Sequence, residues 1–253
     1  MEDGMKVTLI DYTGCGSIDP WYAARLLIYA KNTRVEQGIK HRVKTAMMEA
    51  HEIIDELNKI ANTIRSSWEF VTFTFEILDV TRAFTHQLVR TRHGSYAQQA
   101  QRVVDMRAFG SLLPQTVKDK ELEADWLAHM SDVSDFYADM IDAGIPAQDA
   151  RGVLPTNIYT NILAQFNLRT FAELCGKRDN LRAQGEYADV VRAMKAEAYN
   201  RMPWLAPFLE PERTKTPVLE AILKKILDGK SPVDVPQVND ALKELDKLKG
   251  TWG

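Results

Sequence analysis

Apolar and polar positions alternate along this chain with two different periods, and the places where the period changes mark out its elements. Residues 6–11 (KVTLID) alternate at every second position and predict a first strand, and the TGCGS that follows predicts a turn with Gly14 and Gly16 as its turn residues. Helical spacing begins at 19–33 (DPWYAARLLIYAKNT), with Asp19 placed as the cap and Pro20 at the first helical position. Val43, Met47, Ala50, Ile54, Leu57 and Ala61 then recur at steps of four and three, which predicts one long amphipathic helix over 38–61. In 69–78 (EFVTFTFEIL) the period drops to two: Val71, Phe73, Phe75 and Ile77 alternate with Thr72, Thr74 and Glu76, and a strand is expected.

The next helix, over 80–91, puts Phe84 and Leu88 on one face and Arg82, His86 and Arg90 on the opposite one, and Gly94 interrupts it. An acidic helical region follows over 116–144, stopped by Gly144 and Pro146. Residues 156–163 (TNIYTNIL) read as a strand delivering Asn167 to a helix start, where exposed backbone donors favour anions. An amphipathic helix over 183–201, two prolines at Pro203 and Pro207, and two short helices over 217–229 and 235–250 complete the reading.

Size and charge narrow the class. With 253 residues and 28.7 kDa, the chain suffices for one well-cored domain with a small appendage, and 45% hydrophobic and 26% charged residues are ordinary for a globular protein. A formal net charge of −3 argues against a general nucleic-acid binder, which needs a basic excess to track phosphates. No apolar run is long enough to span a bilayer, and MEDGMKVTLI lacks the basic start and apolar core of an export signal, so a cytoplasmic enzyme is expected. Cys15 and Cys175 have no CxxC or metal-ligand spacing and are expected to be small buried side chains; His41, His51 and His129 have no metal partner at suitable spacing, and no metal site is expected.

The candidate chemistry is concentrated in 85–102 (THQLVRTRHGSYAQQAQR), which holds three arginines, two histidines and four glutamines with no carboxylate among them. Guanidinium donors form a planar fork that fits phosphate and carboxylate oxygens, so an anion site is the leading reading. A second arginine group lies near residue 170. The residues alone support a nucleotide-sized anion site built from the two groups. A helical scaffold whose arginines pair with the acidic helix, and a non-catalytic nucleotide- or RNA-binding protein, are the alternatives.

The arginine run resembles the signature of the flavin-dependent thymidylate synthases, Arg-His-Arg, seven positions, Ser and, two residues later, Arg. Here the frame is Arg90-Thr91-Arg92, then Ala100 and Arg102, so the arginines match while Thr91 and Ala100 replace His and Ser. Two more blocks are similar to that family: 66–75 (SSWEFVTFTF), in which Ser66 stands in for a hydroxyl and the family's upstream His is missing, and 149–178, which carries Arg151, Leu154, Pro155, Asn167, Arg169 and Arg178 in family order and spacing. The resemblance covers about residues 20–206.

That resemblance implies an α+β fold, an antiparallel sheet with flanking long helices, as a catalytic domain over 1–206 with a helical C-terminal extension over 207–253. It implies FAD as cofactor, NADPH and methylenetetrahydrofolate as co-substrates, and methylation of carbon 5 of a uracil nucleotide, UMP or dUMP, in a homotetramer with shared active sites. Carried over by position, Gln87, Arg90, Gln98, Ala100, Arg102, Arg151 and Arg178 bind nucleotide, and Arg178 is the catalytic arginine beside the uracil carbonyls. Ser66, Glu69, Arg92, His93, Asn167, Arg169 and Glu173 fall at flavin positions, Glu173 standing where Asn or His is frequent. The changes at Thr91 and Ala100 imply a diverged member, and the family includes a UMP-accepting methylase of polyoxin biosynthesis.

Overall fold

The computed structural model describes residues 4–34, 38–63, 65–107, 109–179 and 185–209. In chain order the elements are β1 (Lys6–Tyr12), α1 (Tyr22–Asn32), α2 (Gly38–Ala46), α3 (Ala50–Ala61), β2 (Thr72–Thr81), α4 (Arg82–Leu88) and β3 (Ser95–Gln98). Then come α5 (Gln115–Lys118), α6 (Glu123–Asp142), α7 (Ala147–Ala150), β4 (Tyr159–Asn167), α8 (Leu168–Arg178), α9 (Gly185–Arg201) and α10 (Ala206–Leu209). The helices expected over 217–229 and 235–250 lie outside the described residues.

The strands form one antiparallel sheet in the order β1-β2-β4-β3, so the fold is α+β as expected. Its register follows from the period-two pattern. Phe73 pairs with Phe166, Phe75 with Ala164 and Ile77 with Ile162, which sets these residues on one buried face, while Leu163, opposite Glu76, lies on the other. Phe171 of α8 covers that face, its ring 5.3 Å from Phe73 and 5.2 Å from Phe75. Val190, Val191 and Met194 of α9, Leu27 and Ile28 of α1 and Leu57 and Ile60 of α3 belong to the same core. Phe208 and Leu209 of α10 are buried in it too, with the Phe208 ring edge-on to Trp68 at 5.0 Å. A smaller cluster joins Met106, Met130, Tyr137, Ala150 and Ile158 beneath α6.

Several expectations are corrected. The predicted helix over 38–61 is two helices, because Glu49 and Glu52 form a capping box that opens α3 afresh after Met47 and Met48. The buried stripe of α3 is Ile53, Leu57 and Ile60, whereas Val43, Met47 and Ile54 are exposed in the single chain. Helix α1 starts at Tyr22 rather than at Pro20; Asp19 accepts from the Trp21 N–H and pairs with Arg25 at 3.0 Å instead of capping the helix itself. The acidic region is likewise two helices, α5 and α6, and α6 ends on Gly144 at φ +84°, with the Gly144 and Ile145 amides returning to the Ile141 and Met140 carbonyls. Cys15 is exposed, against expectation, and Cys175 is buried. Among the described residues no helix is long and apolar enough to cross a membrane, and no three His, Cys, Asp or Glu side chains are grouped to hold a metal.

Phe171 sits where two strand aromatics and a helix meet, with no exposed surface. A Phe171→Ala variant is therefore expected to lose about 3–5 kcal/mol of stability and Phe171→Leu markedly less, read as the shift in urea unfolding midpoint.

Candidate active site

Two strand-to-helix junctions build the site. At the end of β2 the Thr81 hydroxyl accepts from the Phe84 N–H at 3.0 Å and so caps α4. The Thr81 N–H and hydroxyl in turn donate to the Glu186 carboxylate at 2.6 and 2.5 Å, which ties the first turn of α9 to the same junction. Helix α4 then runs through Gln87 and gives way to the turn carrying Arg90, Arg92 and His93. Tyr96 of β3 fixes that turn: its hydroxyl donates to the Leu88 and Thr91 carbonyls at 3.1 and 2.7 Å. A Cβ on Gly94 would meet the Tyr96 hydroxyl at 2.5 Å, so the break after the helix needs glycine for close approach.

At the opposite end of the sheet, where Thr72 pairs with Asn167, β4 passes into α8. The Asn167 side chain accepts from the Thr170 N–H at 2.9 Å. This cap explains why α8 begins there, and it uses one of the backbone donors that the sequence reading assigned to an anion. Leu168, Phe171, Leu174 and Cys175 are buried. Beyond Arg178, Asp179 is gripped by Lys195 at 2.8 Å and Arg192 at 3.2 Å. Burial raises the Asp179 carboxyl, but the two cations outweigh it and hold the group below its ordinary range.

The two junctions bring the end of α4 and the turn after it alongside one face of α8, around a cleft of about 360 Å³. One wall is Gln87, Arg90, Thr91, Arg92 and His93, and the other is Thr170, Glu173, Leu174, Lys177 and Arg178. The second set is spaced by three and four, one face of α8 along its length. That volume is at the small end of ligand pockets, roughly 300–1,000 Å³, and suits one mononucleotide or one ring system rather than a whole dinucleotide.

Charge in the cleft is one-sided. The carboxylates nearby are already engaged: Glu69 accepts from Arg169 at 2.8 Å, and Glu173 lies 3.5 Å from Arg169 and 4.0 Å from Lys177. Among the described residues no carboxylate pairs with Arg90, Arg92 or Arg178, and no ion pair joins Arg90, Arg92 or Arg102 to α6; only Arg107 reaches it, at Asp142. The scaffold reading, which needs such pairs, has no support here. Instead Arg178 lies over the Tyr187 ring, its Cζ 4.6 Å from the centroid.

The residues singled out from sequence fall into three groups. Gln87, Arg90, Arg92, His93, Glu173 and Arg178 line the cleft, with Glu69 and Arg169 joined to Glu173 by the ion-pair chain. Ser66 accepts from Arg34, and Asn167 caps α8. Gln98, Ala100, Arg102 and Arg151 do not line the cleft: Gln98 donates to Thr85 at 2.9 Å, Ala100 and Arg102 are exposed, and Arg151 donates to the Gln148 carbonyl at 3.1 Å. Sequence reasoning missed Thr170, Leu174 and Lys177, although steps of four back from Arg178 reach Leu174 and Thr170, and a step of four on from Glu173 reaches Lys177. It also left Arg82 without a role. Burial and then the neighbouring Arg151 charge depress the Arg82 guanidinium, so two arginines lie side by side near the start of α4, and Arg82 donates to the Gln99 carbonyl at 3.4 Å.

An antiparallel sheet, helices leaving it from opposite ends and an arginine-lined cleft between them define an α+β protein with a site suited to an anion. Residues 8–204 match the family described as thymidylate synthase complementing protein. The chain belongs to this family, the flavin-dependent thymidylate synthases. The enzyme of that name from Geobacter sulfurreducens is 32% identical over 207 residues, covering 80% of this chain and 84% of its own. That from Pyrococcus furiosus is 38% identical over 138 residues, 53% of this chain and 57% of its own. The crystal structure of the UMP/dUMP methylase PolB from Streptomyces cacaoi bound with 5-Br dUMP has the same fold, with a TM-score of 0.65 over 79% of this chain and 92% of that one at 17% identity.

Burial pushes the Tyr96 phenol up to about 12. Since the folded value exceeds the ordinary 10.0, the neutral phenol contributes stability that is whole below about pH 10 and is lost as pH rises through 12. Tyr96→Phe is expected to lose about 1 kcal/mol at neutral pH and to show a shallower decline between pH 10 and 12, both read from urea unfolding across pH.

Proposed function

We propose that this protein methylates carbon 5 of a uracil nucleotide, UMP and/or dUMP, with FAD as cofactor, methylenetetrahydrofolate as one-carbon donor and NADPH as reductant. The observation that carries the reading is the convergence of Arg90, Arg92 and Arg178 on one cleft with no carboxylate to neutralise them among the described residues. Such a cleft favours a polyanion with a flat polar ring. Family membership supplies the reaction class.

In this reading Arg90 takes a phosphate or ribose oxygen, Gln87 reads the edge of the base, and Arg178 faces the uracil carbonyls. A fixed guanidinium there stabilises the negative charge that builds on the ring as carbon 5 becomes nucleophilic, without reorganisation when the charge appears. The lining also fits a flavin: Arg92 and His93 offer donors to ring or phosphate oxygens, Leu174 offers an apolar wall, and the Glu69–Arg169–Glu173 chain stands beside it. When bound, the flavin carries the reducing equivalents that turn a transferred methylene into a methyl group. Neither cysteine has to act as nucleophile, which suits a chain whose Cys15 is exposed on a turn and whose Cys175 is in the core.

The cleft of one chain is too small for nucleotide and dinucleotide together, and Gln98, Ala100, Arg102 and Arg151 are outside it. A homotetramer with shared sites reconciles these facts, a second copy bringing those residues, and Arg82 beside Arg151, to the phosphate. The division into a catalytic domain over 1–206 and an extension over 207–253 completes the proposal.

The purified protein should be yellow, and with NADPH and the folate it should convert UMP, dUMP or both to the 5-methyl product; a colourless protein that binds dUMP without turnover would point to the non-catalytic alternative. A measured preference for UMP over dUMP is the expected consequence of Ala100 in place of Ser, and strict dUMP specificity would assign that change another cause. Arg178→Ala and Arg151→Ala proteins should each lose about 100-fold or more in kcat/KM. After subunit exchange a mixture of the two should regain activity, because hybrid tetramers contain sites with neither substitution. Failure to regain it would place all the arginines of one site in one chain.

A further inference from the structure

Among the described residues Arg178 is the one cleft arginine whose guanidinium rests on an aromatic face, and that face belongs to a residue outside the cleft. Tyr187, in the first turns of α9, is fully buried, and its ring stands 4.6 Å below the Arg178 Cζ. The ring itself cannot tilt freely. Phe84 meets it edge-on at 5.0 Å and 89°, and Phe84 is held by the cap from Thr81. The neighbouring Glu186 grips Thr81 from the same turn of α9. The strand end, the start of α4 and the start of α9 are thus locked together around one phenyl ring, and the guanidinium of α8 lies on top of it.

The tyrosine hydroxyl takes no part in this. It is buried and no atom stands in hydrogen-bonding geometry to it. Burial raises the phenol, and the nearby Arg178 charge, the Thr91 side chain and the approach of the Arg178 guanidinium pull it part of the way back down. What Tyr187 presents to Arg178 is chiefly the negative face of its ring, with the guanidinium Cζ 4.6 Å from the centroid and no well-formed hydrogen bond at the phenol oxygen. A quadrupole beneath a guanidinium holds it by attraction while leaving its N–H donors directed elsewhere, which a carboxylate partner would not do.

We infer that Tyr187 is a positioning residue for Arg178: its ring, fixed by Phe84, holds the guanidinium in the cleft with its donors free for the nucleotide. The inference rests on the reading of the cleft as a uracil-nucleotide site. Nothing in it requires Tyr187 to touch the substrate.

The test varies the ring's charge at constant shape. The full-length protein, with its bound flavin, is titrated with dUMP by calorimetry as wild type, as Tyr187→Phe, and with trifluoro- or pentafluorophenylalanine incorporated at position 187. Tyr187→Phe should bind dUMP nearly as wild type does, because it keeps the ring and drops a hydroxyl that makes no well-formed hydrogen bond. Progressive fluorination should weaken dUMP binding stepwise, by about 3- to 30-fold in all, with the thermal midpoint little changed. In an Arg178→Ala background the same series should be flat, because no cation remains above the ring; a merely structural ring would give the same slope in both backgrounds. Equal affinities across the series with Arg178 present, or equal slopes in the two backgrounds, overturn the inference. The series is run with whichever of dUMP and UMP the wild type binds more tightly, and wild-type protein that binds neither overturns the nucleotide reading, and this inference with it, before any variant is compared.

Discussion

The antiparallel pairing of β2 with β4 is the constraint on which the site depends. Thr81 and Asn167 stand at opposite ends of that pair, and each ends its strand by capping the helix that follows. Because the strands are antiparallel, α4 and α8 leave the sheet from opposite ends. The end of α4 and the turn after it then face the side of α8, and the cleft is what lies between them. A parallel pair would have sent both helices from the same end, with their first turns adjacent instead. The caps also locate the arginines. Arg90 follows α4 and Arg178 ends α8, so both lie beside helix carbonyls that lack intrahelical partners, where positive charge is favoured.

Electrostatics then separates cations that serve the fold from cations left for a ligand. Arg169, Arg192 and Lys195 are matched with Glu69, Glu173 and Asp179, and each of these pairs fixes an end or a face of α8. Arg90, Arg92 and Arg178 have no such match among the described residues. The distinction is physical. A guanidinium paired with a carboxylate has little affinity left for a phosphate, whereas one over a ring or in water retains its donors. The net negative charge of the chain and its positive cleft are compatible because carboxylates lie elsewhere on the molecule, α6 alone carrying six of them with no lysine or arginine.

Resemblance and structure divide the labour unevenly across the candidate residues. Arg90, Arg92 and Arg178, more than 80 positions apart at the extremes, were placed in one site by motif order, and the structure brings them together. Arg102 and Arg151 match the motif equally well, yet they lie elsewhere in the single chain. No local pattern carries that difference, because the sequence does not state which copy of a chain completes which site. Arg82 shows the reverse. Its residue type and helical face were plain, but its depressed guanidinium arises from burial and from Arg151, a neighbour 69 positions away.

What the sequence determined by itself was local: the alternation in 72–78 that makes a one-sided strand, the apolar faces of α4 and α8, the glycines that must turn at Gly14, Gly16 and Gly144, and the absence of carboxylates from 85–102. These follow from the fixed periods of strands and helices and from steric limits on φ, which act over a few residues. The break between α2 and α3 and the one-residue shift of the buried stripe from Ile54 to Ile53 were decided by packing, since several phases of an apolar pattern satisfy the same period until a partner surface selects one. Tertiary structure alone set Tyr187 beneath Arg178, as contact between residues on separate helices depends on how those helices cross the sheet and not on anything written beside either one.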